Sequence, residues 1–148
     1  MAFKFRLESV LDHRRHLEDV AQAQFLVELK VERECEAHIA WLDQEVRRAR
    51  LQLTSREKDG ISGREYAQAG DYILVLRLHA RRERDRLMRL KLRTDRARKK
   101  LMEATRERKV LDILKSKHHQ EYLRQERLAE QKFLDEVAVQ GFVRRQSS

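Results

Sequence analysis

The chain has 148 residues, 40% of them charged, with 34 Lys or Arg against 25 Asp or Glu, a net charge of +9 and no proline. No apolar run reaches the length of about eighteen that a membrane-spanning helix needs, and the single cysteine, Cys35, excludes an internal disulfide framework. Hydrophobic residues at 41%, set at helical spacing, argue against disorder, so the composition reads as long solvated helices that bury a seam and no thick core.

The opening Met1-Ala2-Phe3-Lys4-Phe5-Arg6-Leu7 has no apolar run suited to export, and the expected setting is a reducing cytoplasm. A first helix is predicted over about 5–58. Apolar residues recur there at three and four: Leu7, Val10, Leu17, Val20, then Val31, Cys35, Leu42, Val46, Ala49 and Leu53. So narrow a stripe is that of a coiled-coil seam. Glu28 and His38 fall on or near it, while Phe25, Leu26, Val27 and Leu29 spread round the helix.

The pattern breaks at 59–64, in Asp59-Gly60-Ile61-Ser62-Gly63-Arg64. Two glycines interrupt it, and Ser62 followed three residues later by Glu65 has the form of a capping box that starts a new helix. The chain turns back here. A second helix is predicted over about 65–138, with a seam of Tyr72, Leu76, Leu87, Leu90, Ala97, Leu101, Ala104, Leu111 and Leu114, and with His118 and Tyr122 beyond. Leu90, Ala97, Ala104 and Leu111 stand seven apart, a spacing that imposes a left-handed supercoil. The predicted fold is all-α: two long helices forming an antiparallel coiled-coil hairpin, as a single domain over 1–148 whose residues 139–148 are a flexible tail.

A turn centred on Ile61 sets the register. Val46 then faces Leu76, Cys35 faces Leu87, Val31 lies by Leu90 and Lys91, and Leu17 comes opposite Ala104 and Thr105. The same register sets Glu28, Glu32, Glu34 and Glu36 against Arg86, Arg89, Lys91 and Arg93. Exposed pairs of this kind contribute about 0.2–1 kcal/mol each, enough to select register and little more. Near the turn Arg47, Arg48, Arg50, Arg56, Lys58 and Arg64 leave a basic tip. At the other end Phe5 reaches only to about His118, so the second helix continues alone with Leu123, Leu128, Phe133, Leu134 and Val137. Apolar residues without an internal partner mark a binding surface.

No enzymatic constellation is present: no phosphate-binding glycine loop, no HExxH, no G-x-S-x-G and no cysteine pair. The expectation is therefore no catalysis, no cofactor and no metal. His13 and His16, like His118 and His119, read as solvated or seam histidines. Cys35 reads as a small core residue, and Trp41 as packing on the flank of Leu42. Residues 77–109 carry fifteen Lys or Arg against five Asp or Glu, the obvious candidate for nucleic-acid phosphates. Interleaved acids and the lack of stacking aromatics favour a solvated coiled-coil face, so no specific nucleic acid is expected.

A family resemblance rests on three stretches. They are the opening Phe3-Lys4-Phe5-Arg6-Leu7-Glu8-Ser9-Val10-Leu11 with Arg14 and Glu18, the turn Gly60-Ile61 with Tyr72 and Leu76, and the ending Glu130-Gln131-Lys132-Phe133-Leu134-Asp135-Glu136-Val137-Ala138. In this order the chain resembles FliJ, the small coiled-coil component of the bacterial flagellar type III export apparatus. The resemblance implies a non-enzymatic stalk, cytoplasmic and peripherally associated with the inner-membrane export apparatus. It also implies three partners: the hexameric export ATPase (FliI-like), the export gate protein (FlhA-like) and export chaperones. By the same resemblance the gate contact matches His38, Leu42, Tyr72, Leu76 and His79, with Glu45 and Ala49 where some relatives carry aromatics. The ATPase contact matches Lys132, Asp135 and Glu136, beside the overhanging Leu123, Leu128, Phe133 and Leu134. The equivalent stalk of a virulence type III secretion system and a nucleic-acid-binding basic coiled coil are the alternative readings.

Overall fold

The computed structural model describes residues 2–147. They form two helices, α1 over Glu8–Asp59 and α2 over Gly63–Gln146, and no strand occurs among them. Glu8 and Glu65 lie in the first turns, and Arg56, Lys58, Arg144 and Arg145 in the last. Each helix end thus carries the charge that its dipole favours.

Gly60 makes the break, with φ at 89°, in the left-handed region that a residue with a Cβ enters at a cost of about 1–2 kcal/mol. Its N–H donates to the Glu57 carbonyl at 3.3 Å. Ser62 then caps α2, its Oγ accepting the Glu65 N–H at 3.2 Å. The reciprocal half of the predicted capping box does not form. Instead the Glu65 carboxylate accepts from Arg56 at 3.2 Å, tying the end of α1 to the start of α2.

The chain divides into two compact units. In the unit Asp19–Met102, α1 presents a row that alternates three and four: Ala21, Phe25, Glu28, Glu32, Cys35, Ile39, Leu42, Val46, Ala49 and Leu53. α2 answers with Ile73, Leu76, Ala80, Glu83, Leu87, Leu90, Thr94, Ala97 and Leu101, and every residue of both rows is buried or half-buried. This is the a/d pattern of a coiled coil. Leu42, Val46, Ile73, Leu76 and Ala80 form one core cluster, and Cys35, Ile39 and Leu90 a second, with Val31 and Leu87 against it. Asp43 reaches Arg84, Glu36 reaches Lys91 and Glu28 reaches Arg93, so the helices here run antiparallel in the predicted register. Arg86 departs from it and pairs along its own helix with Glu83. Tyr72 departs too: it is 52% exposed, and Ile73 takes the seam position at the three-four spacing from Leu76 and Ala80.

Two polar residues are buried in this seam, and both are satisfied. The Thr94 hydroxyl donates to the Leu90 carbonyl at 3.0 Å. Glu28 accepts from Arg93 at 3.2 Å and from Gln24 at 3.3 Å.

The other unit joins the residues up to Glu18 with those from Glu103 onward. Phe5 and Leu11 are buried, and Leu7, Arg14 and Glu18 continue the three-four row at half burial. α2 faces them with Ala104, Arg108, Leu111, Lys115 and Tyr122. Val10 and Leu17, predicted for the seam, are exposed, as is Val20 in the neighbouring unit. Charged residues occupy the seam there, so the apolar pattern points to a different face. The Phe5 ring meets His118 at 5.7 Å and the Phe3 ring meets His119 at 4.8 Å and Tyr122 at 5.5 Å, which is where the predicted pairing ends. Beyond it α2 runs through Gly141 to Gln146, past the predicted stop near Ala138. A glycine inside a helix costs about 1 kcal/mol relative to alanine, which is a penalty and not a break. No helix among the described residues is long and apolar enough to cross a membrane.

Candidate functional site

Two surfaces stand out, one in each unit. The first is the part of α2 that the N-terminal arm does not cover. Its root is a polar network. Arg108 donates to Glu18 at 2.9 Å and to Asp112 at 2.6 Å, Arg15 to Asp112 at 3.4 Å, and Lys115 to Glu8 at 2.8 Å, while Arg14 pairs with Glu107. The hydrogen bond from Arg108 holds the Glu18 and Asp112 carboxyls below their usual range, and the two acids in turn push Arg108 up. One turn on, the Tyr122 hydroxyl donates to Glu126 at 2.7 Å, which raises the phenol. Hydrogen bonds from Gln125 and Arg124 lower Glu121.

Past this root, every residue from Leu123 to Gln146 is exposed. Leu123, Leu128, Lys132, Phe133, Leu134, Asp135 and Glu136 all lie on this segment, so the structure brings the whole set onto one helix. Phe133 is 64% exposed and Leu134 58%. Val137, Val139, Phe142 and Val143 extend the apolar surface. The last three escaped notice because the helix was expected to stop before them.

The second surface lies in the unit that contains the turn. His38 and His79, one from each helix, meet edge to face at 5.2 Å, and Trp41 stacks on His38 at 6.0 Å with an interplanar angle of 8°. Val75, Leu78, His79 and Arg82 line a shallow pocket beside them. Tyr72 is exposed nearer the turn, whereas Leu42 and Leu76 are buried in the seam between the helices. Trp41 and Val75 are large, exposed and adjacent to the histidines. Their signal was present in the sequence as i+3 and i−4 spacing from His38 and His79.

The basic stretch is partly answered inside the molecule. Arg84, Lys91, Arg93 and Arg108 pair with acids of α1, and Arg86 and Arg98 with neighbours on α2. Arg98 also lies over the Phe25 ring at 5.4 Å, a cation–π contact. Cys35 is buried with Glu83 beside it, and desolvation pushes its thiol up, away from the thiolate that reactivity requires.

The model of the flagellar FliJ protein family matches residues 3–147. Among curated proteins no sequence matches. Among solved structures, CT670 from Chlamydia trachomatis, a proposed YscO homolog, is similar at 20% identity over 99% of this chain and 100% of its own, with a TM-score of 0.47.

Proposed function

This chain belongs to the flagellar FliJ protein family, and from that premise we propose that it acts as the non-enzymatic stalk of the flagellar type III export apparatus. In this reading the exposed end of α2 seats in the hexameric export ATPase and raises its turnover. The face of His38, Tyr72 and His79 engages the export gate protein, and Leu42 and Leu76 set the spacing of the two helices beneath it. Export chaperones are a further partner class, as the resemblance implies.

One observation carries the ATPase contact: α2 continues past the last ring that the N-terminal arm reaches, with Leu128, Phe133, Leu134 and Val137 exposed. Helices of this kind dock by laying apolar anchors into a groove. The test is the rate of ATP hydrolysis by the cognate export ATPase, with and without this protein, at moderate salt. Stimulation should be lost in the double variant Phe133→Asp, Leu134→Asp while helicity by circular dichroism is unchanged. Full stimulation by that variant would remove the terminal segment from the contact.

A further inference from the structure

On the flank of the turn-containing unit away from the histidines, the two helices leave an open groove of about 520 Å³. Val46 from α1 and Ala80 from α2 form its floor. Arg47 and Arg50 stand on one wall, and Arg77, Arg81 and Arg84 on the other. At 100° per residue, these α2 arginines lie roughly 140 to 200° round the helix from His79, so the groove is a separate surface and does not depend on the gate contact.

Its charge is one-sided. Five arginines share the groove with one acid, Asp43, whose two oxygens accept from Arg84 at 2.8 and 2.7 Å. Arg47, Arg50, Arg77 and Arg81 make no ion pair among the described residues. Guanidinium forks match carboxylates bidentately, and the Asp43–Arg84 pair is such a match already formed within the groove. The floor adds a second requirement. Val46 and Ala80 are apolar, and a small residue such as alanine between two helices leaves a hole for a knob from a third.

From this geometry we infer that the groove is a docking site for an acidic amphipathic helix of a partner protein. That helix carries an apolar residue for the Ala80 floor, flanked at three and four positions by carboxylates for the arginine walls. A phosphate backbone satisfies the walls and leaves the floor without a counterpart, which is why a protein segment fits better. The charged contacts are solvent-facing, so binding weakens as salt rises.

The probe is a fluorescent helical peptide of about 18 residues with a central leucine and glutamates three and four positions to either side. Titrated with the full chain, it should bind, and the variant Arg50→Gln, Arg77→Gln should weaken it by about tenfold or more with helicity unchanged. Replacing the peptide's leucine by glutamine should weaken binding comparably, and a scrambled peptide of the same composition should bind poorly. Equal binding of scrambled and patterned peptides would overturn the inference in favour of bulk charge attraction. So would duplex DNA that binds as tightly as the peptide and is lost in the same variant, since that makes the groove a phosphate site. Concentration-dependent self-association that Arg50→Gln, Arg77→Gln abolishes would assign the groove to a second copy of this chain and overturn it too.

Discussion

Leu11 and Leu17 are the same residue type on the same helix, yet Leu11 is fully buried and Leu17 is exposed. The three-four row that starts at Leu7 passes through Leu11, Arg14 and Glu18, and Leu17 falls one residue, or about 100°, to the side. Reading apolar residues alone selects Val10 and Leu17, because the positions that face α2 are held by charged side chains. Only the pairing of Glu18 with Arg108 across the seam identifies them, and that pairing is a tertiary fact. Leu11→Ala should lower stability by about 2–4 kcal/mol through lost burial and the cavity left behind, whereas Leu17→Ala should change it by about 0.5 kcal/mol or less. Thermal unfolding followed by circular dichroism distinguishes them, and the reverse order would restore the stripe of Val10 and Leu17.

The same network sets an acid dependence. Arg108 holds Glu18 below its ordinary 4.5 and Asp112 below its ordinary 3.8. A carboxyl whose folded pKa lies below its unfolded one contributes stability that is fully present above the unfolded value and is lost as pH falls through the folded one. The unfolding midpoint should therefore be nearly level from about pH 7 to about pH 5 and should drop below about pH 4. In the variant Glu18→Gln, Asp112→Asn the midpoint should start lower at neutral pH and fall less steeply on acidification. An unchanged acid limb would assign the loss to other carboxylates.

Among the elements, the turn and the register were legible because they rest on local chemistry. Glycine at 60 supplies the left-handed backbone, Ser62 caps the next helix, and the facing pairs follow by counting outward from the turn. Val46 and Leu76 meet in one core cluster as that count requires. The end of α2 was not legible, because Gly141 looks like a stop signal while its neighbours are adequate helix formers. Two glycines thus perform opposite tasks, and the same substitution separates them. Gly60→Ala should destabilise the chain by about 1–2 kcal/mol by forcing a Cβ into the left-handed region. At Gly141 an added Cβ meets nothing within 4 Å, so Gly141→Ala should favour the helical state locally by about 0.5–1 kcal/mol. Amide exchange across residues 137–146 should slow in the second variant; faster exchange there would mean that Gly141 marks a helix end in solution.

For the molecule as a whole, the packed seam and the exposed end of α2 are different resources. Residues 7–122 hold every cross-helix contact described above, while residues 123–146 bury nothing against the rest of the chain. Removing the terminal segment should cost little stability, because surface positions away from packed features change it by about 0.5 kcal/mol or less. It should cost the whole of the ATPase stimulation, because the apolar anchors Leu128, Phe133 and Leu134 go with it. A chain ending at Tyr122 should then unfold within about 2–3 °C of the full chain and fail to stimulate the export ATPase. A large drop in the midpoint would show that the segment folds back on the seam. Retained stimulation with unchanged stability would transfer the ATPase contact to the basic tip near Arg56, Lys58 and Arg64, whose side chains are exposed at the turn.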